Sequence, residues 1–146
     1  MATMNLYDGI IEHAVEGNSD WDTDAFKAIL MNATHAFAKA DVAKATINAN
    51  QIATANGYTQ DTEALASVTV TQPTGGTTRF DCADISWTAS GGSIGPTTDC
   101  VIYNDTSTVP GADNLICSID FESSETAGDG TDLLITINAS GILEVS

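Results

Sequence analysis

Apolar positions along this chain change their period twice. In residues 4–16, MNLYDGIIEHAVE, the residues Leu6, Ile10, Ile11, Ala14 and Val15 recur at helical spacing. That spacing predicts a short amphipathic helix, stopped by Gly17 and Asn18. The acidic stretch DWDTD follows and leads into the apolar run Phe26 to Met31, which predicts a buried strand within residues 25–32. From Leu65 onward the pattern becomes short β-type runs: LASVTVT (65–71), TTRFD (77–81), ADISWTA (83–89), DCVIYND (99–105), NLICSIDF (114–121), DLLITIN (132–138) and GILEVS (141–146). Alternation is visible in Ile85 with Trp87, in Leu133 with Ile135 and Ile137, and in Leu115 with Cys117, Ile119 and Phe121. The intervening QPTGG, SGGSIGPTT, TSTVPGA and ETAGDG have turn chemistry.

These runs predict a mainly β fold, an antiparallel sandwich or barrel-like domain with one short N-terminal α-helix. The length of 146 residues suits one domain. Its parts are a helix and turn (1–24), a strand (25–32), an excursion (33–64) and a β-rich core (65–146). Two readings stand for the alanine-rich excursion: a helix over 36–45, or a long surface excursion throughout.

Charge narrows the function classes. Twenty acids face four bases, Lys27, Lys39, Lys44 and Arg79, for a net charge of −16. Such a chain repels phosphate backbones and anionic bilayers, so neither nucleic acid nor a membrane is an expected partner. No run of about 18 apolar residues is present, and the N-terminus has no basic segment of the secretory kind. Acidity favours solubility and complements a basic partner surface.

Candidate chemistry is sparse. Asp20, Asp22 and Asp24 match the first half of an EF-hand loop, but Ala25 and Met31 stand where glycine and glutamate are needed. A turn ahead of the strand explains them more simply. Asp129 and Asp132 in AGDGTD suit a turn between strands in the same way. His13 and His35 lie in no metal-binding spacing, and no serine sits in a nucleophile elbow. Cys82, Cys100 and Cys117 form no C-x-x-C pair and read as small buried hydrophobes. Trp87 alternates with Ile85 and reads as core, while Trp21 is placed to anchor the helix onto the sheet. The sequons at Asn32, Asn104 and Asn138 carry no inference in a threonine-rich chain. The sequence therefore assigns no catalytic, cofactor-binding or metal-ligating residue, and an enzyme is not expected.

The order of segments resembles a family of small tailed-phage virion proteins. An acidic D-W-x-T-D turn enters a strand at Lys27, Ala28, Ile29 and Leu30. A second signal falls at Val101, Ile102, Tyr103, Asp105 and Thr106, and a third at Leu115, Ile116, Ile119 and Asp120. The resemblance spans most of the chain, and its motifs are structural. It implies a capsid decoration, or cement, protein made in the host cytoplasm and carried on the capsid surface. Its implied partners are the major capsid protein and further copies of itself, as in a trimer. Residues 1–24 and 33–64 are the expected contact surfaces, and deletion of residues 1–18 is expected to leave a folded β domain that no longer binds capsids. The rival within virions is a tail, neck or fibre component that binds a host surface. The rival outside them is a metal-assisted hydrolase using Asp20, Asp22 and Asp24.

Overall fold

A computed structural model describes residues 2–73, 75–109 and 111–146. The turn readings at QPTGG and TSTVPGA each include a residue outside the described set, Thr74 and Pro110, and residues 1–24 include Met1. The elements are β1 (Thr3–Leu6), α1 (Gly9–Val15), β2 (Phe26–Met31), β3 (Glu63–Ala64), β4 (Thr69–Thr71), β5 (Thr78–Asp81), β6 (Ile85–Thr88), β7 (Ile94–Asn104), β8 (Asn114–Ala127), β9 (Asp132–Ile135) and β10 (Leu143–Val145). All strand pairings are antiparallel. They build a five-stranded sheet in the order β1-β8-β7-β2-β3, a three-stranded sheet β10-β5-β4 and a two-stranded sheet β6-β9.

The packing is sandwich-like. One face of the five-stranded sheet presents Phe26, Ala28, Leu30, Cys100, Ile102, Cys117 and Ile119 to a core completed by the smaller sheets. Phe80 comes from β5, Ile85 and Trp87 from β6, and Leu133 and Ile135 from β9. The opposite face presents Ile29, Met31, Val101, Tyr103 and Leu115 to a second, smaller core closed by Tyr7, Phe37 and Ile47. Being covered on both faces explains why β2 reads as a continuous apolar run from Ala28 to Met31. Each large side chain so buried stabilises the fold by about 1.5–3 kcal/mol.

The excursion supplies that second cover and forms no helix over 36–45. Up to β3 at its end, it runs as irregular backbone with two 3-10 turns, Lys44–Thr46 and Asn48–Asn50. Its polar groups go to the sheet instead of to a helical ladder: Leu115 N–H donates to Val42 O at 2.8 Å and Lys44 N–H to Asp113 O at 2.9 Å. The excursion also seals the edge of β2. Ile52 N–H donates to Leu30 O at 2.9 Å, and the buried Tyr58 hydroxyl accepts from Leu30 N–H at 3.1 Å and from Gln51 Nε2 at 2.8 Å. Gly57 makes the turn that delivers Tyr58: its φ is +95° and a Cβ there would lie 2.2 Å from Thr88 O.

Three sequence expectations are corrected. The helix expected from residue 4 begins at Gly9, because residues 3–6 pair with β8, Thr3 opposite Asp120 and Leu6 opposite Cys117. Met4 and Leu6 then pack on the main core with period two. The turn expected at SGGSIGPTT is partly strand, since β7 starts at Ile94, and ETAGDG begins inside β8. Deletion of residues 1–18 would remove β1, the buried Tyr7 and Ile10, so those residues are part of the fold and not a detachable arm.

Candidate interaction surfaces

Two of the three opening aspartates, Asp20 and Asp24, are occupied as turn acceptors. Asp24 Oδ2 accepts from Asp20 N–H at 2.8 Å and from Asn104 Nδ2 at 2.6 Å, and Asp20 Oδ1 accepts from Asp22 N–H at 3.1 Å. Asn104 is the hub. Fully buried at the end of β7, it also donates to Ser19 Oγ at 2.5 Å, while its Oδ1 accepts from the N–H groups of Thr106 and Ser107. One amide thus fastens the 19–25 turn to the 105–109 loop. Among the described residues no three His, Cys, Asp or Glu side chains converge as a metal site.

The second acidic loop is likewise used locally. Asp129 Oδ1 accepts from Gly91 N–H at 2.8 Å and Asp132 Oδ1 from Thr88 Oγ1 at 2.6 Å. His13 is buried on α1, and its carbonyl accepts from Asn18 and Ser19 as Gly17 turns the chain. His35, on the excursion, turns its buried ring toward β7, with Nδ1 3.5 Å from Asp99 Oδ2. Burial pushes the Asp99 carboxyl up, but the His35 ring and the Thr98 hydroxyl outweigh it and hold Asp99 below its ordinary value. The two histidines stand in separate parts of the fold, and neither is joined to a cysteine or serine in a hydrogen-bonded catalytic arrangement among the described residues.

The remaining candidates are structural. Trp87 is core, 6.0 Å from Tyr58. Trp21 packs 5.4 Å from Phe80 and so anchors the turn after α1 onto the three-stranded sheet. All three cysteines are buried and unpaired. Burial raises every thiol, Cys82 to about 12 and Cys100 and Cys117 further. Asn32 and Asn138 use their Oδ1 atoms in turns, accepting from Thr34 and Ser140 N–H.

Charge has a clearer geometry. Each of the four cations is committed within the chain: Lys27 to Asp105 at 2.8 Å, Lys39 to Asp8 at 2.5 Å, Lys44 to Asp61 at 2.8 Å and Arg79 to Glu144 at 2.9 Å. Lys44 is the most buried. Its ammonium lies 4.8 Å over the Tyr103 ring and 3.8 Å from Asp113, and so ties the excursion to the sheet. Asp61 and Asp113 both adopt left-handed backbone, φ 60° and 57°, a conformation aspartate tolerates better than most residues. Sequence reasoning missed Lys44 and Asn104, because a lone lysine among alanines and a lone asparagine after a strand carry no periodic signal.

Two apolar side chains stand out on the expected contact segment: Ile11 is 43% and Val15 82% exposed, one turn apart on α1. A scan of family models and searches of curated proteins and of solved structures found no match to this chain.

Proposed function

We propose that this chain is a structural virion protein of a tailed phage, decorating the capsid and stabilising it by binding the outer face of the major capsid protein. The observation that carries this reading is the disposition of charge. All four cations are consumed internally, leaving an acidic exterior on a sandwich-like β body. Such a body stays soluble at high copy number, resists casual self-association and docks where a partner supplies positive charge. The motifs that carry the resemblance support a building role: Val101 to Tyr103 and Leu115 to Ile119 form the central β7-β8 pair and its cores. The shell contact falls on α1, where Ile11 and Val15 provide an apolar patch within an acidic surround, and on the excursion. Many weak copies on a lattice then give avidity.

The test is co-sedimentation of the purified chain with shells lacking it. The intact chain should saturate the shells and raise their thermal stability. Ile11→Asp with Val15→Asp, both at exposed positions, should abolish the binding while leaving the unfolding temperature within a few degrees. Full binding by that double variant would remove α1 from the contact, and no binding by the intact chain would overturn the proposal.

A further inference from the structure

β8 and β9 leave the turn at 128–131 and part company. β8 stays beside β7, and β9 crosses to pair with β6. An open groove of about 560 Å³ lies between them, lined by Phe121, Ser123, Glu125 and Ala127 of β8 and by Leu133 and Leu134 of β9. No residue of β6 or β7 lines it, so each bordering strand meets it with the edge turned away from its own partner. β1 covers that edge of β8 only as far as Asp120, opposite Thr3. There β8 bends: Glu122 takes φ 59° and its N–H donates to Asp120 Oδ1 at 2.7 Å. Beyond the bend, residues 123–127 have no strand on that side among the described residues. They offer about 17 Å of unpaired edge at strand spacing, in line with β1, whose neighbour Ala2 stands at the groove.

We propose that this groove is a docking slot for an extended, lysine- or arginine-bearing segment of a partner protein, added as a strand beside β8. Backbone pairing along an open edge supplies affinity, and alternate side chains supply specificity. Leu134, 59% exposed, with Phe121 and Leu133 gives the segment an apolar seat. Glu125 and Asp132 line the walls, Asp120 stands where β1 meets β8, and none of the described residues lining the groove is a lysine or arginine.

The same charges exclude a second copy as occupant. Its four cations are already held by its own acids. Two open 123–127 edges paired antiparallel about their midpoint would set Glu125 of one against Glu125 of the other, and like charges directly opposite destabilise a ladder. An acidic edge is one way a sheet avoids pairing with itself. The slot is distinct from α1 and the excursion and is tested on the isolated chain. Its failure and the failure of the capsid reading are therefore separate results.

The probe is an acetylated, amidated hexapeptide alternating lysine and valine, with the glutamate–valine peptide as its counterpart. The isotopically labelled chain is titrated with each and followed by amide shifts and hydrogen exchange. The lysine peptide should shift residues 121–127 and 132–135, slow exchange at 123–127, and bind more weakly as salt rises. The glutamate peptide should leave the spectrum unchanged. Glu125→Lys should weaken the lysine peptide about fivefold, as should Leu134→Lys, a second exposed position that keeps the test valid should the first variant misfold. No saturable shift at millimolar lysine peptide, shifts centred on α1 or the excursion, equal binding of both peptides, or folded variants that bind as the intact chain does would each overturn the proposal.

Discussion

Removing one oxygen from Tyr58 tests whether the excursion is part of the sheet or only lies over it. The Tyr58 hydroxyl accepts from Leu30 N–H and from Gln51 Nε2. It stands where a neighbouring strand would otherwise continue the ladder along β2. Leu30 is fully buried, so in Tyr58→Phe its N–H has no water to turn to. An abandoned buried donor costs about 1–3 kcal/mol. Gln51 adds a smaller loss, because its flexible amide can swing toward solvent. The sum is about 2–3 kcal/mol. Unfolding entropy of about 2.1 cal/mol/K per residue gives a chain of this length close to 3 °C per kcal/mol, hence a fall in Tm of about 6–10 °C. Tyr103→Phe is the control. Its hydroxyl is buried with no hydrogen-bond partner, and phenylalanine keeps the ring beneath Lys44, so its stability should stay within about 0.5 kcal/mol. Thermal unfolding of both variants, with hydrogen exchange read at the Leu30 amide, makes the comparison. Equal Tm values for the two variants, or unchanged exchange at Leu30 in Tyr58→Phe, would refute the reasoning.

Three further outcomes follow from the same geometry. Millimolar calcium should leave Tm unchanged, since the carboxylates of Asp20 and Asp24 are engaged by backbone and Asn104 donors; a rise of several degrees by mass action would restore the cation reading. At pH 8 the folded chain should show almost no reaction with a thiol reagent and three equivalents in denaturant, because all three thiols are buried with raised pKa values; rapid labelling of the folded chain would contradict the packing. Asp99 has a lowered folded pKa, so its contribution is present above the unfolded value of about 3.9 and is lost as pH falls through the folded one. Asp99→Asn should flatten the acid limb of the stability curve below about pH 4 relative to the intact chain, and an unchanged limb would show that the His35–Asp99 contact adds nothing.

Legibility followed the reach of each interaction. β2 was readable because burial on both faces leaves a continuous apolar run from Ala28 to Met31. The inner residues Ile85, Trp87, Leu133 and Ile135 were readable because one buried face leaves alternation. Along β8 the alternation holds only in part: an irregularity puts Tyr103 opposite Leu115, and Ile116 joins Cys117 in the main core. Met4 and Leu6 are compatible with either period, and pairing with β8, a contact made more than a hundred residues away, decides between them. The far end of β8 looks like a turn because its polar residues are largely exposed, and the start of β7 does so because Gly95 and Pro96 interrupt it, yet both backbones continue the ladder. The excursion was hardest to read. Tyr58, Lys44 and His35 each reach partners distant in sequence, and Asn104 does so through two of its four side-chain bonds, to Ser19 and Asp24. The groove beside β8 left no trace in the residue pattern, since it arises where two strands separate after a turn.

The claim that this chain decorates a shell is tested most directly by its copy number in purified particles, measured by quantitative mass spectrometry against the major capsid protein. The account predicts a ratio near one to one, as a lattice of docked copies requires. A ratio of a few per hundred would move the chain to the neck, tail or fibres, and absence from particles would contradict the virion reading altogether.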